Sequence, residues 1–238
     1  MKKVIVVMCI AVVIITLNFC VWAEKPNVIF YASYDKGMDA DFSQNSKLKP
    51  YATTGELSIE KGYKGEGLYL GENSRINYGI DEFNPEKGSL SFWINPKFTQ
   101  DDNTGFSFFA YYFNFKPYVQ YFDFYKSNTE KKVFQYRVIT TANGQDKENI
   151  NKWETSILPE NEWSYIVLTW NNKTGIKLYI NGSLSSFIDA QWKIPEQTNP
   201  KTFFIKNNIG NKGATIDEYR IYNEDLTADE IKKYFMSE

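Results

Sequence analysis

From Val28 to the C-terminus the sequence is punctuated rather than periodic. Short runs rich in Phe, Tyr, Ile and Val alternate with clusters of Gly, Asn, Pro and Asp, and no long apolar stripe at helical spacing competes with them. Runs of this kind satisfy their backbone N–H and C=O groups by pairing with one another, which predicts an antiparallel all-β sandwich. Strands are expected over Val28–Ser33, Gly67–Leu70, Ser89–Ile94, Phe106–Phe115, Tyr118–Tyr125, Val133–Thr140, Ser164–Trp170, Ile176–Ile180 and Thr215–Tyr222. Asn171-Asn172-Lys173-Thr174-Gly175 tolerates positive φ and should close a hairpin, and Asn181-Gly182 marks a second tight turn. The one good helix start is Leu226-Thr227-Ala228-Asp229-Glu230, with Thr227 as N-cap and Glu230 as its capping-box partner. About two turns to Phe235 would set Ile231, Tyr234 and Phe235 on the sandwich.

Aromatic residues make up 17% of the chain, and large rings fill the roughly 10 Å between two packed sheets. Trp93, Trp163 and Trp170 are therefore read as interior residues. Phe106–Tyr125 carries Phe or Tyr at twelve of its twenty positions. Strand parity puts Phe109, Tyr111, Phe113 and Phe115 on one face and Phe108 and Tyr112 on the other, so both faces are expected to be covered.

Composition narrows the chemistry. With no histidine in 238 residues, imidazole bases, His-paired nucleophiles and the usual zinc ligands are excluded, and any catalyst must use carboxylates, Lys or Tyr. Residues 1–23 read as a signal peptide: Lys2 and Lys3, an apolar run from Val4 to Leu17, then Val21-Trp22-Ala23. The alternative is an uncleaved anchor, although the run is short of the roughly 20 residues that span a bilayer. A lipoprotein reading of Leu17-Asn18-Phe19-Cys20 meets the bulk of Phe19 before the cysteine. Cleavage would leave 25 Lys and Arg against 29 Asp and Glu, a balance without the positive field a nucleic-acid binder needs. It would also remove Cys9 and Cys20, both cysteines of the chain, so no disulfide is expected. Residues 24–238 show no linker or charge block and read as a single exported domain, secreted, periplasmic or at the cell surface, with no membrane span once the signal is removed.

Three stretches in order resemble the laminin-G-like jelly-roll family of concanavalin A-like domains. Gly88-Ser89-Leu90-Ser91-Phe92-Trp93-Ile94-Asn95-Pro96 is similar to its G-x-h-S-F-W-h-x-P strand. Glu162-Trp163-Ser164-Tyr165-Ile166-Val167-Leu168-Thr169-Trp170, with Gly175-Ile176-Lys177-Leu178-Tyr179-Ile180-Asn181-Gly182, resembles its W-x-h-h-x-h-T-W hairpin and L-Y-h-N-G ending. Thr215-Ile216-Asp217-Glu218-Tyr219-Arg220-Ile221-Tyr222, then Leu226-Thr227-Ala228-Asp229-Glu230-Ile231, resembles the closing strand and helix. Weaker matches at Phe30–Asp35 and Gly62–Leu70 extend the likeness over the whole mature chain, with Gly71-Glu72 standing where the family has Asp-Gly. The resemblance implies a two-sheet antiparallel jelly-roll with a short C-terminal helix.

It also implies a structural Ca²⁺ where the first and last strands meet, with Asp217 at the matched position and Asp35 as its neighbour; Asp39 and Asp41 lie just beyond. Against the metal, Asp217 could cap a turn or pair with Arg220. For a ligand, Trp153 and Trp192 sit between polar neighbours in loop-like stretches, where an exposed indole could stack on a sugar or fold back as a lid on the core. No Glu precedes an Asp by two residues, so the paired acids of a retaining glycosidase are absent from the pattern; Glu160 with Glu162, and Asp39 with Asp41, read as exposed charges. No catalytic residue is assigned. The reading is a non-catalytic module recognising a glycan or a cell-surface protein. A structural or adhesive protein-contact module, and a carboxylate-based glycoside hydrolase or lyase, are the alternatives.

Overall fold

The structure, a computed structural model, describes residues 27–99, 101–114, 120–129, 133–142, 145–154, 158–192 and 201–237, with the backbone course alone for 113–114, 120–121, 133–134, 137–142 and 145–154. The expected signal segment, with Cys9 and Cys20, lies outside them. In chain order the strands are β1 (Val28–Ala32), β2 (Phe42–Ser43), β3 (Ala52–Thr54), β4 (Leu57–Lys61), β5 (Glu66–Leu70), β6 (Arg75–Gly79), β7 (Lys87–Pro96) and β8 (Gly105–Asn114). They continue as β9 (Gln120–Lys126), β10 (Val133–Ala142), β11 (Gln145–Glu154), β12 (Ser164–Asn171), β13 (Gly175–Ile180), β14 (Ser183–Ile188), β15 (Thr202–Ile209) and β16 (Ala214–Tyr222), before helix α1 (Ala228–Ser237).

Two antiparallel sheets form the sandwich. The first runs β14-β13-β12-β7-β16-β1-β2, with the β4–β5 hairpin joined to β16; the second runs β11-β10-β9-β8-β15-β6-β3. Leu90, Phe92 and Ile94 of β7 and Ile166, Leu168 and Trp170 of β12 alternate inward to meet Phe106, Phe122, Phe124 and Phe203 from the second sheet. Trp170 is fully buried, 4.8 Å from Phe122, and donates its indole N–H to Asn84 O. The expected hairpin from Asn171 to Gly175 forms, with Trp170 opposite Ile176. Asn181 and Gly182 both take positive φ (50° and 74°), as a type I′ turn requires.

The other two tryptophans are not between the sheets. Trp93 points to the outer face of the first sheet because its neighbours Phe92 and Ile94 hold the inward parity of β7, and there it joins Tyr165, Val167, Tyr179 and Tyr222. Trp163 is partly buried against the same cluster. Helix α1 covers this face with Ile231 and Phe235, capped as expected: Glu230 N donates to Thr227 Oγ1 (3.3 Å) and Thr227 N to Glu230 Oε2 (2.9 Å). A second parity expectation also fails. A bulge between Ser107 and Phe109 turns both Phe108 and Phe109 into the core, so the outward residues of β8 become Ser107, Ala110 and Tyr112.

Candidate functional site

With the first sheet capped by α1, the second sheet carries on its outer face a groove of about 420 Å³. Its geometry follows from register. One row across the sheet reads Arg75, Lys206, Ser107, Tyr125, Gln135; the next reads Asn77, Phe204, Ala110, Asp123, Arg137. The middle strand, β8, contributes the small residues Ser107 and Ala110, while β6, β15 and β9 raise larger side chains on either side, and this difference in size makes the hollow. Tyr112 and Phe204 approach to 5.3 Å between ring centres, and the Arg75 guanidinium lies 3.9 Å over the Phe204 ring. Asn77 Oδ1 accepts from Arg75 Nε at 2.7 Å. Tyr125 donates its hydroxyl to Gln135, and Asn208 donates to Ser107 Oγ at 3.3 Å. Burial pulls the Arg75 pKa below its ordinary value.

One end of the groove is locked by Lys126, which is 1% exposed and donates to the carbonyls of Asp102 (3.0 Å) and Thr104 (2.8 Å). Burial lowers its pKa, with Asp102 opposing the shift. Burial alone would raise Asp102, but the N–H groups of Thr104 and Thr99 and the Lys126 charge hold that carboxyl below its ordinary value. The groove can therefore offer aromatic faces, amides and cations. Among its described lining residues Asp123 is the one carboxylate, so the acid pair of a glycosidase is not assembled there.

The residues singled out from the sequence lie elsewhere. Trp192 is buried at 6% exposure, its indole N–H donating to Pro85 O at 3.0 Å and its ring 6.2 Å from Tyr136; it folds back on the core instead of offering a face to solvent. Trp153 falls within β11, opposite the Phe134 position, and not in a loop; its side chain lies outside the described set. Glu160 is exposed and pairs with Lys212, and Glu162 is exposed. Asp39 is exposed, whereas Asp41 accepts from Ser33 N and pairs with Lys36.

Asp217 and Asp35 do converge, on the turn of the β4–β5 hairpin. Along β16, Ala214–Ile216 pairs with β5 and Tyr219–Tyr222 with β1, and the seam is a bulge between Asp217 and Arg220, with Glu218 at φ 51°. Asp217, wholly buried, accepts from Glu218 N (2.7 Å) and Lys64 N (2.9 Å), while Asp35 accepts from Glu66 N (2.9 Å). A Cβ at Gly62 would stand 2.6 Å from Asp217 Oδ2, so the turn closes there on glycine. Arg220 pairs with Glu218 rather than with Asp217. Burial, aided by Glu218 and Asp35, pushes the Asp217 carboxyl up to about 7. A cation bound beside the carboxyl would favour its charged form. The side chains supply two carboxylates, and the described residues hold no group of three or more metal-ligating acids, so backbone carbonyls or water would have to complete a calcium shell of six to eight oxygens.

No helix among the described residues is long and apolar enough to cross a membrane. A laminin-G-type family model, described as the concanavalin A-like lectin/glucanases superfamily, matches residues 70–232. Adhesion G-protein coupled receptor D1 of Homo sapiens is 31% identical over 98 residues, covering 37% of this chain and 11% of the receptor. Botulinum neurotoxin type X of Clostridium botulinum is 28% identical over 191 residues, covering 76% of this chain and 14% of the toxin. The solved binding domain of botulinum neurotoxin serotype D superposes with a TM-score of 0.65 at 17% identity over 89% of this chain and 52% of its own. The receptor-binding domain of the C/D mosaic serotype does so with a TM-score of 0.67, over 89% and 51%. The chain thus spans about half of these solved chains and a small part of the curated relatives. With the match running from the end of β5 into α1, the chain belongs to the concanavalin A-like lectin/glucanases superfamily, on its laminin-G-type side.

Proposed function

We propose that this chain is an exported, non-catalytic binding module that takes a carbohydrate into the outer groove of its second sheet. The observation that carries the reading is the half-exposed side chains of Tyr112 and Tyr125 near the amide of Asn208, on a face that no helix among the described residues covers. A sugar presents an apolar face to a ring and hydroxyls to polar neighbours, and this arrangement supplies both. The relatives lend support: one is an adhesion receptor, and solved neighbours include a toxin binding domain in complex with SialylT. Trp153, on the edge strand β11 of the same sheet, is proposed as a further contact. A calcium ion held by Asp217 and Asp35 would brace the β4–β5 turn on the other sheet, and the convergence of the two carboxyls on that turn supports it.

Glycan-array binding by the intact chain tests the reading, with Tyr112→Ala, Tyr125→Ala and Trp153→Ala compared after a melt shows that each folds. Loss of signal in the two tyrosine variants is expected. Unchanged binding in both removes the groove as the site, and a copurifying protein without any glycan signal favours the adhesive alternative.

A further inference from the structure

We infer that the groove selects an acidic saccharide, a glycan whose carboxylate or sulfate is seated between Arg75 and Lys206; this rests on the carbohydrate reading above. Arg75 and Lys206 are direct cross-strand partners on β6 and β15, and like charges placed opposite each other repel. Neither takes part in an ion pair among the described residues. Asn77 accepts the Arg75 Nε–H, and among the described residues no acceptor meets the terminal guanidinium nitrogens.

Holding such a pair together has a cost, since a partly buried cation without a counter-charge loses hydration that nothing replaces. An anion arriving from solvent supplies the missing partner. The Phe204 ring fixes the plane of the guanidinium, so its N–H fork is already oriented for a carboxylate or sulfate. The chain carries 27 basic against 29 acidic residues, yet the row that holds Arg75 and Lys206 contains no carboxylate, while Lys126 at the groove's end is already paired with Asp102.

Arg75 on β6 and Lys206 on β15 stand three and two strand spacings from β9, which carries the buried Asp123 and the Asp102-paired Lys126; from β6 to β9 is roughly 14 Å. That is the length of a short oligosaccharide, whose acidic group would meet Arg75 and Lys206 at one end while its ring and hydroxyls reach Tyr125 on β9 at the other.

Isothermal titration of the intact chain decides the matter, using three matched probe pairs: sialyllactose and lactose, tetragalacturonate and its methyl ester, a heparin tetrasaccharide and its desulfated form. At least one acidic member is expected to bind roughly tenfold tighter than its neutral partner. That preference should shrink as salt rises from about 0.05 M to about 0.3 M. Arg75→Gln and Lys206→Gln should each erase the preference, so that the acidic member falls to the affinity of its neutral partner in the same variant; Lys206, half-buried, serves if the arginine variant does not fold. The pair that responds identifies the acidic group. Equal affinity for acidic and neutral members, or a preference surviving in both variants, overturns the inference and leaves the carbohydrate reading standing. Failure of every saccharide overturns both, including the case in which a polyglutamate peptide binds instead.

Discussion

Lowering the pH of the calcium-free chain is expected to stabilise it, through Asp217. The carboxyl is wholly buried and its pKa is pushed up to about 7 from an ordinary 3.8, chiefly by loss of hydration. A group with a raised folded pKa holds its proton more tightly when folded. Its contribution to stability is therefore complete below the unfolded value and is lost as the pH rises through about 7. At about 1.36 kcal/mol per pKa unit the interval corresponds to roughly 4 kcal/mol, of which about 2–3 kcal/mol should appear between pH 8 and pH 5. The assay is urea unfolding in chelator at several pH values, wild type beside Asp217→Asn. The variant cannot titrate there, and its amide can accept only one of the two N–H groups, from Lys64 and Glu218, that the carboxylate accepts. The variant's curve should be flat across this range and lie about 1–2 kcal/mol below the wild type at pH 5. The two curves should converge or cross towards pH 8. Calcium at about 1 mM should lift the wild type at pH 8 and leave the variant where it is, since an ion selective for the folded site adds stability by mass action. Parallel curves from pH 5 to pH 8 would refute the account of Asp217, and an unshifted wild type in calcium would remove the metal.

Gly88→Ala places a methyl group 2.4 Å from Trp170 Cζ2 and 2.7 Å from Tyr222 O; with the indole pinned by Phe83 and Phe122, urea unfolding should show a loss of about 3 kcal/mol. Thr227→Ala removes the hydroxyl that accepts Glu230 N and should cost about 1 kcal/mol in the same assay, with little change in groove binding, since α1 lies on the opposite sheet.

All nine strands expected from the sequence are present, within a residue or two at most ends, because each carries its own aliphatic and aromatic alternation between turn residues. Seven more among the described residues were not legible. Gln145–Glu154, Arg75–Gly79 and Thr202–Ile209 are polar enough to read as loop, and Ser183–Ile188 is an edge strand with Leu184 and Phe187 exposed. Such segments become strands because a neighbour supplies the pairing, which local composition does not record. The tryptophans show the same limit. That Trp93, Trp163 and Trp170 are large says they need cover; only the pairing of the sheets says that one is covered by the opposite sheet and another by a helix from the far end of the chain.

The groove was hidden for a related reason. In Gly105-Phe106-Ser107-Phe108-Phe109-Ala110-Tyr111-Tyr112 the aromatic residues dominate the eye, and strict alternation assigns Phe108 outward. The bulge reverses that assignment, and what then faces outward is the small pair Ser107 and Ala110. The signal in the sequence was thus an interruption: two small side chains in a strand otherwise built of rings, where a uniform layer would have filled the surface. Arg75 and Lys206 illustrate the complementary case. They are 131 positions apart in the chain and unremarked in isolation, and become a site only when β6 and β15 bring like charges into register over an empty floor. Strand pairing turns ordinary surface residues into a locally unfavourable arrangement, and a ligand of opposite charge is the physical means by which that arrangement is relieved.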